Sequence, residues 1–172
     1  MNEVIKKMIE RRSIRSYRPE QVKEEDLAQI LQAGTYAASG RGAQAGKIVV
    51  VQDKPTIELL ERLNAEAWGK PDSHPFYGAP MVCVVLADST IPTYVEDGSL
   101  ILGNLMLAAH SIGVGSCWIH RARQVFATDE GKALLKKWGI DESYIGVGHC
   151  ILGYPNETPT AKPRKEDFIV RV

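Results

Sequence analysis

The sequence has no excess of either charge, and this argues against two classes of partner. Lysine and arginine together number 21, and aspartate and glutamate also number 21, so the formal net charge is zero. A neutral chain has no overall field that would attract nucleic acid or an anionic membrane surface. Any binding site for an anion must therefore be built locally.

Cysteine and histidine are scarce, and neither residue type is arranged as a metal site. The three cysteines are far apart and flanked by apolar residues, which predicts buried free thiols. The four histidines lack the spacing of metal ligands, and no Ser, His and Asp motif of a hydrolase is present. We expect no bound metal, and a hydrolytic function has little support.

Long hydrophobic runs are also absent. The N-terminal segment lacks the apolar core of a signal peptide and carries Glu3 and Glu10, so we expect a cytoplasmic protein. Hydrophobic residues make up 44% of the chain and charged residues 24%, which is ordinary for a globular protein. A chain of 172 residues suits one domain, and we expect that domain to cover residues 1–172.

Helical and strand patterns alternate along the chain without repeats. Apolar spacing predicts five helices, at Glu3–Arg12, Glu24–Ala38, Pro55–Ala67, Glu96–Ile112 and Asp129–Trp138. Runs rich in β-branched residues predict five strands, at Lys47–Gln52, Met81–Ala87, Ser116–Ile119, Tyr144–Leu152 and Phe168–Val172. This order predicts an α+β fold of three layers, α/β/α, with a mixed central sheet flanked by helices and an extended C-terminal arm.

The helix at Glu96–Ile112 is apolar around nearly its whole circumference. Such a helix must be covered on most of its sides. We therefore expect it to be both the central helix of the domain and a contact between subunits.

Two local clusters of positive charge could bind an anion. Arg11, Arg12 and Arg15 surround Ser13 where a helix gives way to an extended segment. Near the other end of the chain, Pro163 biases its neighbour toward an extended backbone, which lets Lys162 and Arg164 point the same way. Each cluster, considered alone, could equally be a solvated helix end or a charged tail.

The loop Ala38–Gln44 has small residues that would let a planar ligand approach the backbone, with Ser39 and Gln44 as hydrogen-bonding groups. It matches neither the P-loop pattern nor the three-glycine dinucleotide fingerprint, and it precedes a strand instead of following one. Two possible anion sites, a flexible loop and no reactive side chain are best explained if a cofactor carries the chemistry.

Four motif segments occur in order along nearly the whole chain: Arg11–Tyr17 (RRSIRSY), Ala38–Gln44 (ASGRGAQ), Asp97–Ile119 ending in GVGSCWI, and Leu152–Pro155 (LGYP) followed by Lys162–Arg164 (KPR). Together these segments resemble the nitroreductase family of flavoproteins. The resemblance implies a homodimer that binds flavin mononucleotide (FMN) at the interface between its subunits.

The resemblance also implies a role for each candidate residue. It places Arg11, Ser13, Lys162 and Arg164 around the ribityl phosphate. It also places Arg12 at the phosphate end and Arg15 at the pyrimidine end of the flavin. The resemblance implies that the partner subunit contributes Ser39, Gly40 and Gln44 to the site. It also implies that the chain passes the reactive nitrogen of the ring at Trp118, Ile119 and the backbone of His120.

The implied activity is that of an oxidoreductase with FMN as cofactor and NADH or NADPH as reductant. Hydride would pass through the flavin to a nitroaromatic, a quinone or a related acceptor in a ping-pong cycle, with Arg15 giving electrostatic support and no catalytic side chain. Two alternatives stay open: a flavin-binding or flavin-storing module without turnover, and a different flavin reaction on the same fold, such as dehalogenation or flavin breakdown.

Overall fold

The computed structural model describes residues 1–172 and contains six helices and four strands. In chain order these are α1 (Glu3–Glu10), α2 (Glu24–Thr35), β1 (Gly46–Val51), α3 (Lys54–Ala67), β2 (Met81–Asp88), α4 (Tyr94–Ser111), β3 (Gly115–Ile119), α5 (Ala122–Ala127), α6 (Asp129–Lys137) and β4 (Tyr144–Gly153). Short 3₁₀ turns occur at Gly40–Gly42 and Glu166–Phe168.

The four strands form one sheet in the order β1-β2-β4-β3. All three pairings are antiparallel, with Val50 opposite Cys83, Cys83 opposite Cys150, and Cys150 opposite Trp118. The parallel component expected of a mixed sheet is limited to one isolated bridge between Ser13 and Ser116, at the β3 edge.

Helices cover both faces of this sheet, which confirms the three-layer α/β/α arrangement. One core cluster joins α3, α5 and α6 to the sheet, and a second joins α2 and α4 to the opposite face. Strand β2 contributes to both clusters, because Val82 and Val84 face the first and Cys83 and Val85 face the second. Burial on both faces explains why β2 is a continuous apolar run and does not alternate with polar residues.

Helix α4 packs on the second face, but a single chain covers only part of it. Leu102, Leu105 and Ala109 are fully buried, whereas Leu100 is 48% exposed. Exposed apolar side chains also lie on the neighbouring α1, where Val4, Ile5, Met8 and Ile9 are all more than 45% exposed and no residue is buried. The expected covering of α4 on most sides is thus incomplete in the isolated chain.

None of the helices is both long and apolar enough to cross a bilayer.

Two elements differ from the sequence expectations. Helix α5 was not predicted, because six residues are too few to show a clear apolar period. The expected strand Phe168–Val172 is not formed. Instead the arm beyond Pro155 is largely exposed and holds only the second 3₁₀ turn. A strand needs a neighbour for its backbone hydrogen bonds, and this segment pairs with neither edge of the sheet.

A histidine lies in the centre of the first core cluster. His149 on β4 is completely buried between Phe76 and Phe126, with ring centroids 5.3 and 6.2 Å away. Its Nε2 atom has no hydrogen-bond partner. Burial lowers the pKa of His149 from its ordinary value of 6.5 to about 4, so the ring is neutral in the folded protein at neutral pH.

This burial predicts an acid-sensitive contribution to stability. The unfolded chain binds a proton at His149 more readily than the folded chain, so stability is fully present above about pH 6.5 and is lost as the pH falls toward 4. Between these limits, the free energy of unfolding of the wild type should fall by roughly 3 kcal/mol more than that of His149→Gln. Urea titrations across the range measure this difference. His74→Gln, at an exposed histidine, is the control, and equal pH profiles for wild type and His149→Gln would contradict the prediction.

Candidate functional site

The cationic segment after α1 lies along the free edge of β3. Arg11 ends α1, and its backbone N–H donates to the Lys7 carbonyl oxygen at 3.0 Å. Two residues later Ser13 forms the bridge to Ser116, and the Ile14 N–H donates to the Ser116 carbonyl oxygen at 2.9 Å. The structure therefore brings Arg11, Ser13 and Arg15 to the same strand that carries Trp118 and Ile119.

Arg11 holds a positive charge that the chain does not neutralise. Its Nη1 atom is buried, has no hydrogen-bond partner, and the side chain makes no ion pair. Helix α1 packs against α4, and its Val4 and Lys7 line one pocket with Leu107 and Ser111 in the last turns of α4. Burial, together with the charges of Lys7, Arg11 and Arg12, lowers the pKa of His110. A buried donor without an acceptor is costly, which makes Arg11 a position where an incoming anion would be stabilised.

Arg12 has a different environment. Its Nη1 atom donates to the carbonyl oxygens of Ile9 and Arg11, both at 2.7 Å. These carbonyls belong to the last turn of α1, where a cation is favourable. In the isolated chain Arg12 therefore caps α1, and only its other guanidinium nitrogens remain for a ligand.

Arg15 is exposed beside the arm. Its backbone N–H donates to a carboxylate oxygen of Glu157, and its guanidinium lies 6.0 Å from the centre of the Tyr77 ring. Nearby, Tyr17 donates its hydroxyl proton to the Ile14 carbonyl oxygen at 2.6 Å, and burial raises the pKa of Tyr17. The backbone around Arg15 is thus fixed while its side chain stays accessible.

The end of β3 presents the three consecutive residues predicted at the flavin ring. Trp118 is half-buried, Ile119 is buried and His120 is exposed. The His120 carbonyl oxygen accepts a hydrogen bond from Asn64 Nδ2 at 2.7 Å. Asn64 is fully buried on α3, and its Oδ1 accepts from Arg121 Nε at 3.0 Å.

Asn64 and Arg121 did not emerge from the sequence reasoning. A signal existed for Asn64, because it follows the buried Leu60 and Leu63 on the apolar stripe of α3, where a polar side chain needs buried partners. No comparable signal existed for Arg121. Its left-handed backbone, with φ of 75°, depends on the turn between β3 and α5.

The loop after α2 is held to the start of α4. Ser39 Oγ accepts from the Gln44 N–H at 3.1 Å, and the Gly40 N–H donates to Oδ1 of the buried Asp97 at 2.9 Å. A Cβ atom at Gly40 would lie 2.3 Å from Thr93 Oγ1, so the close approach requires glycine. Ser39 and Gln44 border a cavity of about 330 Å³ that also includes Asp97.

The two halves of the predicted site lie at opposite ends of α4. The Ser39–Gln44 loop contacts Asp97 in the first turn, whereas the Arg11 segment lies near His110 in the last turn. Thirteen residues of α-helix separate these positions by about 20 Å. The same loop borders a cavity with Gly46, Ile48 and Val50 of β1, which is the sheet edge opposite β3, so one chain does not bring Ser39, Gly40 and Gln44 to the β3 edge.

The structure does not bring the second cationic cluster to the first. Lys162 and Arg164 are exposed on the C-terminal arm. Arg164 Nη2 donates to the Lys162 carbonyl oxygen at 2.7 Å, and no hydrogen bond or ion pair joins either residue to Arg11 or Ser13. A cavity of about 1070 Å³ between α5, α6 and the start of β4 is lined by none of the predicted site residues.

These features define a three-layer α+β protein with unpaired arginines along one edge strand. The sequence profile described as the Nitroreductase family matches residues 8–154. The chain therefore belongs to the nitroreductase family, as the sequence motifs indicated.

Individual relatives agree with this assignment. The chain is 34% identical over 163 residues to a protein of Archaeoglobus fulgidus named "Putative NADH dehydrogenase/NAD(P)H nitroreductase", covering 91% of this chain and 88% of that protein. It is 28% identical over 183 residues to a Bacillus subtilis protein named as an NAD(P)H-dependent FMN reductase, covering 95% and 70%. The crystal structure of a nitroreductase with bound FMN from Bacteroides fragilis superposes with a TM-score of 0.91 at 28% identity, covering 100% of both chains.

The contact between Gly40 and Asp97 can be tested directly. Asp97→Ala removes the buried acceptor of the half-buried Gly40 N–H, so it should cost about 1–3 kcal/mol of stability and speed hydrogen exchange at the Gly40 amide. Asp97→Asn keeps an acceptor oxygen and should retain most of the protection. Glu96→Ala is the matched control, because Glu96 is exposed in the same helical turn. Unchanged Gly40 exchange in Asp97→Ala, measured by NMR, would show that this contact does not hold the loop.

Proposed function

We propose that this protein is an FMN-dependent oxidoreductase that takes reducing equivalents from NADH or NADPH. The observation that carries the proposal is the buried, unpartnered Arg11 Nη1 beside Ser13 on the edge of β3. A phosphate there would supply the acceptor that the chain lacks. The bound FMN of the Bacteroides fragilis structure, which covers this whole chain, supports the choice of ligand.

In this proposal the phosphate end is held by residues from both ends of the chain. Arg11 and Ser13 bind it from the β3 edge, with Arg12 beside them. Lys162 and Arg164 close over it from the arm, and Arg164 exchanges its bond to the Lys162 carbonyl oxygen for a phosphate oxygen. The exposure of the arm leaves both side chains free to make this movement.

The ring end lies along the last residues of β3. The half-buried Trp118 gives it an apolar surface, the Ile119 side chain points into the core on the opposite face of the strand, and the backbone of Ile119 and His120 passes its reactive nitrogen. Asn64 holds the His120 carbonyl oxygen from the buried side, which limits movement of this backbone. Arg15 lies at the pyrimidine end, where a permanently protonated guanidinium stabilises negative charge.

When bound, FMN supplies the redox chemistry by accepting a hydride from the nicotinamide and passing two electrons to an acceptor such as a nitroaromatic or a quinone. The chain contributes binding, orientation and electrostatics. None of its side chains is assigned as a general acid. We propose that reductant and acceptor use the same open face in turn, which is a ping-pong order.

The proposed site requires a second copy of the chain. About 20 Å of α4 separates the Asp97 end, where Gly40 is held, from the Arg11 end, and the loop borders β1 at the sheet edge opposite β3, so in a homodimer Ser39, Gly40 and Gln44 would reach the site of the other copy. The exposed apolar side chains of α1 and of the arm supply surface for such an interface.

Two broader expectations complete the proposal. We infer one domain over residues 1–172, because helices on both faces share a single sheet. We infer a cytoplasmic location, and the three buried free cysteines agree with a reducing compartment.

The role of Arg11 predicts opposite effects on ligand affinity and on stability. Arg11→Gln removes a charge-assisted contact, so FMN affinity should fall about ten- to a hundredfold. The same change removes a buried charge without a partner, so the protein freed of flavin should become more stable. Fluorescence titration with FMN and urea unfolding of the flavin-free protein measure the two effects.

Controls separate this role from a general loss of charge. Arg18→Gln, at an exposed arginine near Glu20, should leave FMN affinity unchanged, and Arg164→Gln should weaken it without stabilising the flavin-free protein. Wild-type protein that does not bind FMN would refute the proposal. Protein that binds FMN but oxidises neither NADH nor NADPH with a quinone present would indicate the flavin-storage alternative.

The dimer has its own test. Ile5→Asp on α1 places a charge on the proposed interface and should shift the protein toward monomer and weaken FMN binding together. Ala133→Asp places the same charge on an exposed position of α6, on the other face of the sheet, and should change neither. Multi-angle light scattering gives the mass. A wild-type monomer that binds FMN tightly would exclude the two-copy site.

A further inference from the structure

Arg121 occupies a backbone conformation that its surroundings must hold in place. It follows His120 in the turn between β3 and α5 and has a left-handed φ of 75°. A residue with a Cβ atom adopts this conformation at a cost. Such conformations persist where the neighbouring structure over-determines them, and they concentrate at functional sites.

Two side chains of α3 and its C-terminal end fix the Arg121 guanidinium. Asn64 Oδ1 accepts from Nε at 3.0 Å, and the guanidinium carbon lies 4.7 Å from the centre of the Trp68 ring. Because Asn64 also holds the His120 carbonyl oxygen, one buried amide sets both the backbone and the side chain of this turn. Both Nη atoms of Arg121 are left without a protein acceptor.

Two further cations lie beside aromatic rings, and one of them, Arg15, also has a Glu157 carboxylate oxygen on its backbone N–H. Lys70 Nζ lies 4.4 Å from the same Trp68 ring, and Arg15 lies over Tyr77. None of these three cations makes an ion pair in the structure. Trp68 and Tyr77 are themselves 43% and 39% exposed, so aromatic surface remains beside the cations.

We propose that Arg121 is a specificity-determining residue that binds the anionic group of an aromatic substrate. Its two Nη atoms form a planar fork that matches a carboxylate or a phosphate oxygen pair. Lys70 adds positive charge beside the same Trp68 ring, while Trp68 and Tyr77 offer surface for an aromatic ring. The inference rests on the proposed function, because it places this anion site next to the His120 backbone and the flavin ring.

Carboxylate and phosphate could come from different substrates. An aromatic acceptor could carry a carboxylate, and the reductant carries the phosphates of the nicotinamide dinucleotide. Asn64 is a positioning residue for either one, since it contacts Arg121 and not the substrate. The experiment therefore needs one matched pair of probes for each source.

The experiment on the acceptor compares 4-nitrobenzoate with the neutral 4-nitrobenzamide by calorimetric titration into the flavin-loaded protein. Wild type should prefer the carboxylate, and Arg121→Gln should weaken carboxylate binding about tenfold and leave amide binding unchanged. Arg121→Lys keeps the charge without the fork and should give an intermediate loss. The control is Arg123→Gln, an exposed arginine two residues away, which should bind both probes as wild type does.

The experiment on the reductant compares NADH with the neutral N-benzyl-1,4-dihydronicotinamide, using a neutral quinone as acceptor. If the phosphates are the source, Arg121→Gln should raise the KM for NADH about tenfold and leave the neutral reductant unaffected. A selective loss for the charged probe in either experiment supports the anion site and identifies its source. If Arg121→Gln keeps both preferences, or loses charged and neutral probes equally, the anion site is refuted.

Failure of the proposed function would look different. In that case the wild type would bind no FMN or would not oxidise the neutral reductant. Titration of 4-nitrobenzoate and NADH into the flavin-free wild type and Arg121→Gln would still report on the anion site. Equal affinities of the two proteins for both anions would then refute the inference independently.

Discussion

The hydrogen bond from the Ile14 N–H to the Ser116 carbonyl oxygen places the cationic segment on the sheet. The bonds from the Arg15 N–H to Glu157 and from the Tyr17 hydroxyl to the Ile14 carbonyl oxygen hold the same segment from its other side. Arg11 precedes this segment at the end of α1, and its Nη1 is buried without a partner. The proposed phosphate site is therefore a consequence of where an edge strand accepts one extra backbone segment.

Helix α4 fixes the distance between the Ser39–Gln44 loop and the Arg11 segment. It packs along the sheet with its start under the Ser39–Gln44 loop and its end beside Arg11. Because an α-helix is rigid over this length, the two sequence motifs stay apart within one chain. The same helix leaves apolar surface uncovered next to α1. Separation of the motifs and incomplete burial are the two observations on which the proposed homodimer rests.

Buried polar side chains fix the loops that the sheet alone would leave free. Asp97 holds Gly40, and Asn64 holds both His120 and Arg121. Asp97 accepts from a backbone N–H, whereas Asn64 donates to a backbone carbonyl oxygen and accepts from a guanidinium, so each of these buried side chains has hydrogen-bond partners. His149, beside Asn64, instead stays neutral because burial lowers its pKa. The polar groups near the end of β3 thus serve to define backbone positions.

The sequence by itself determined the type and order of nearly all the elements, because the helical or strand spacing of apolar residues is visible within each short segment. It also located the cationic clusters and the family motifs. It could not show that Asn64 contacts His120 and Arg121 across 56 and 57 positions, or that Lys162 and Arg164 remain apart from Arg11. Such contacts depend on how the strands and helices pack together. The left-handed turn at Arg121 and the placement of two motifs at opposite ends of α4 were likewise decided by the tertiary structure, since each arises from packing between distant segments.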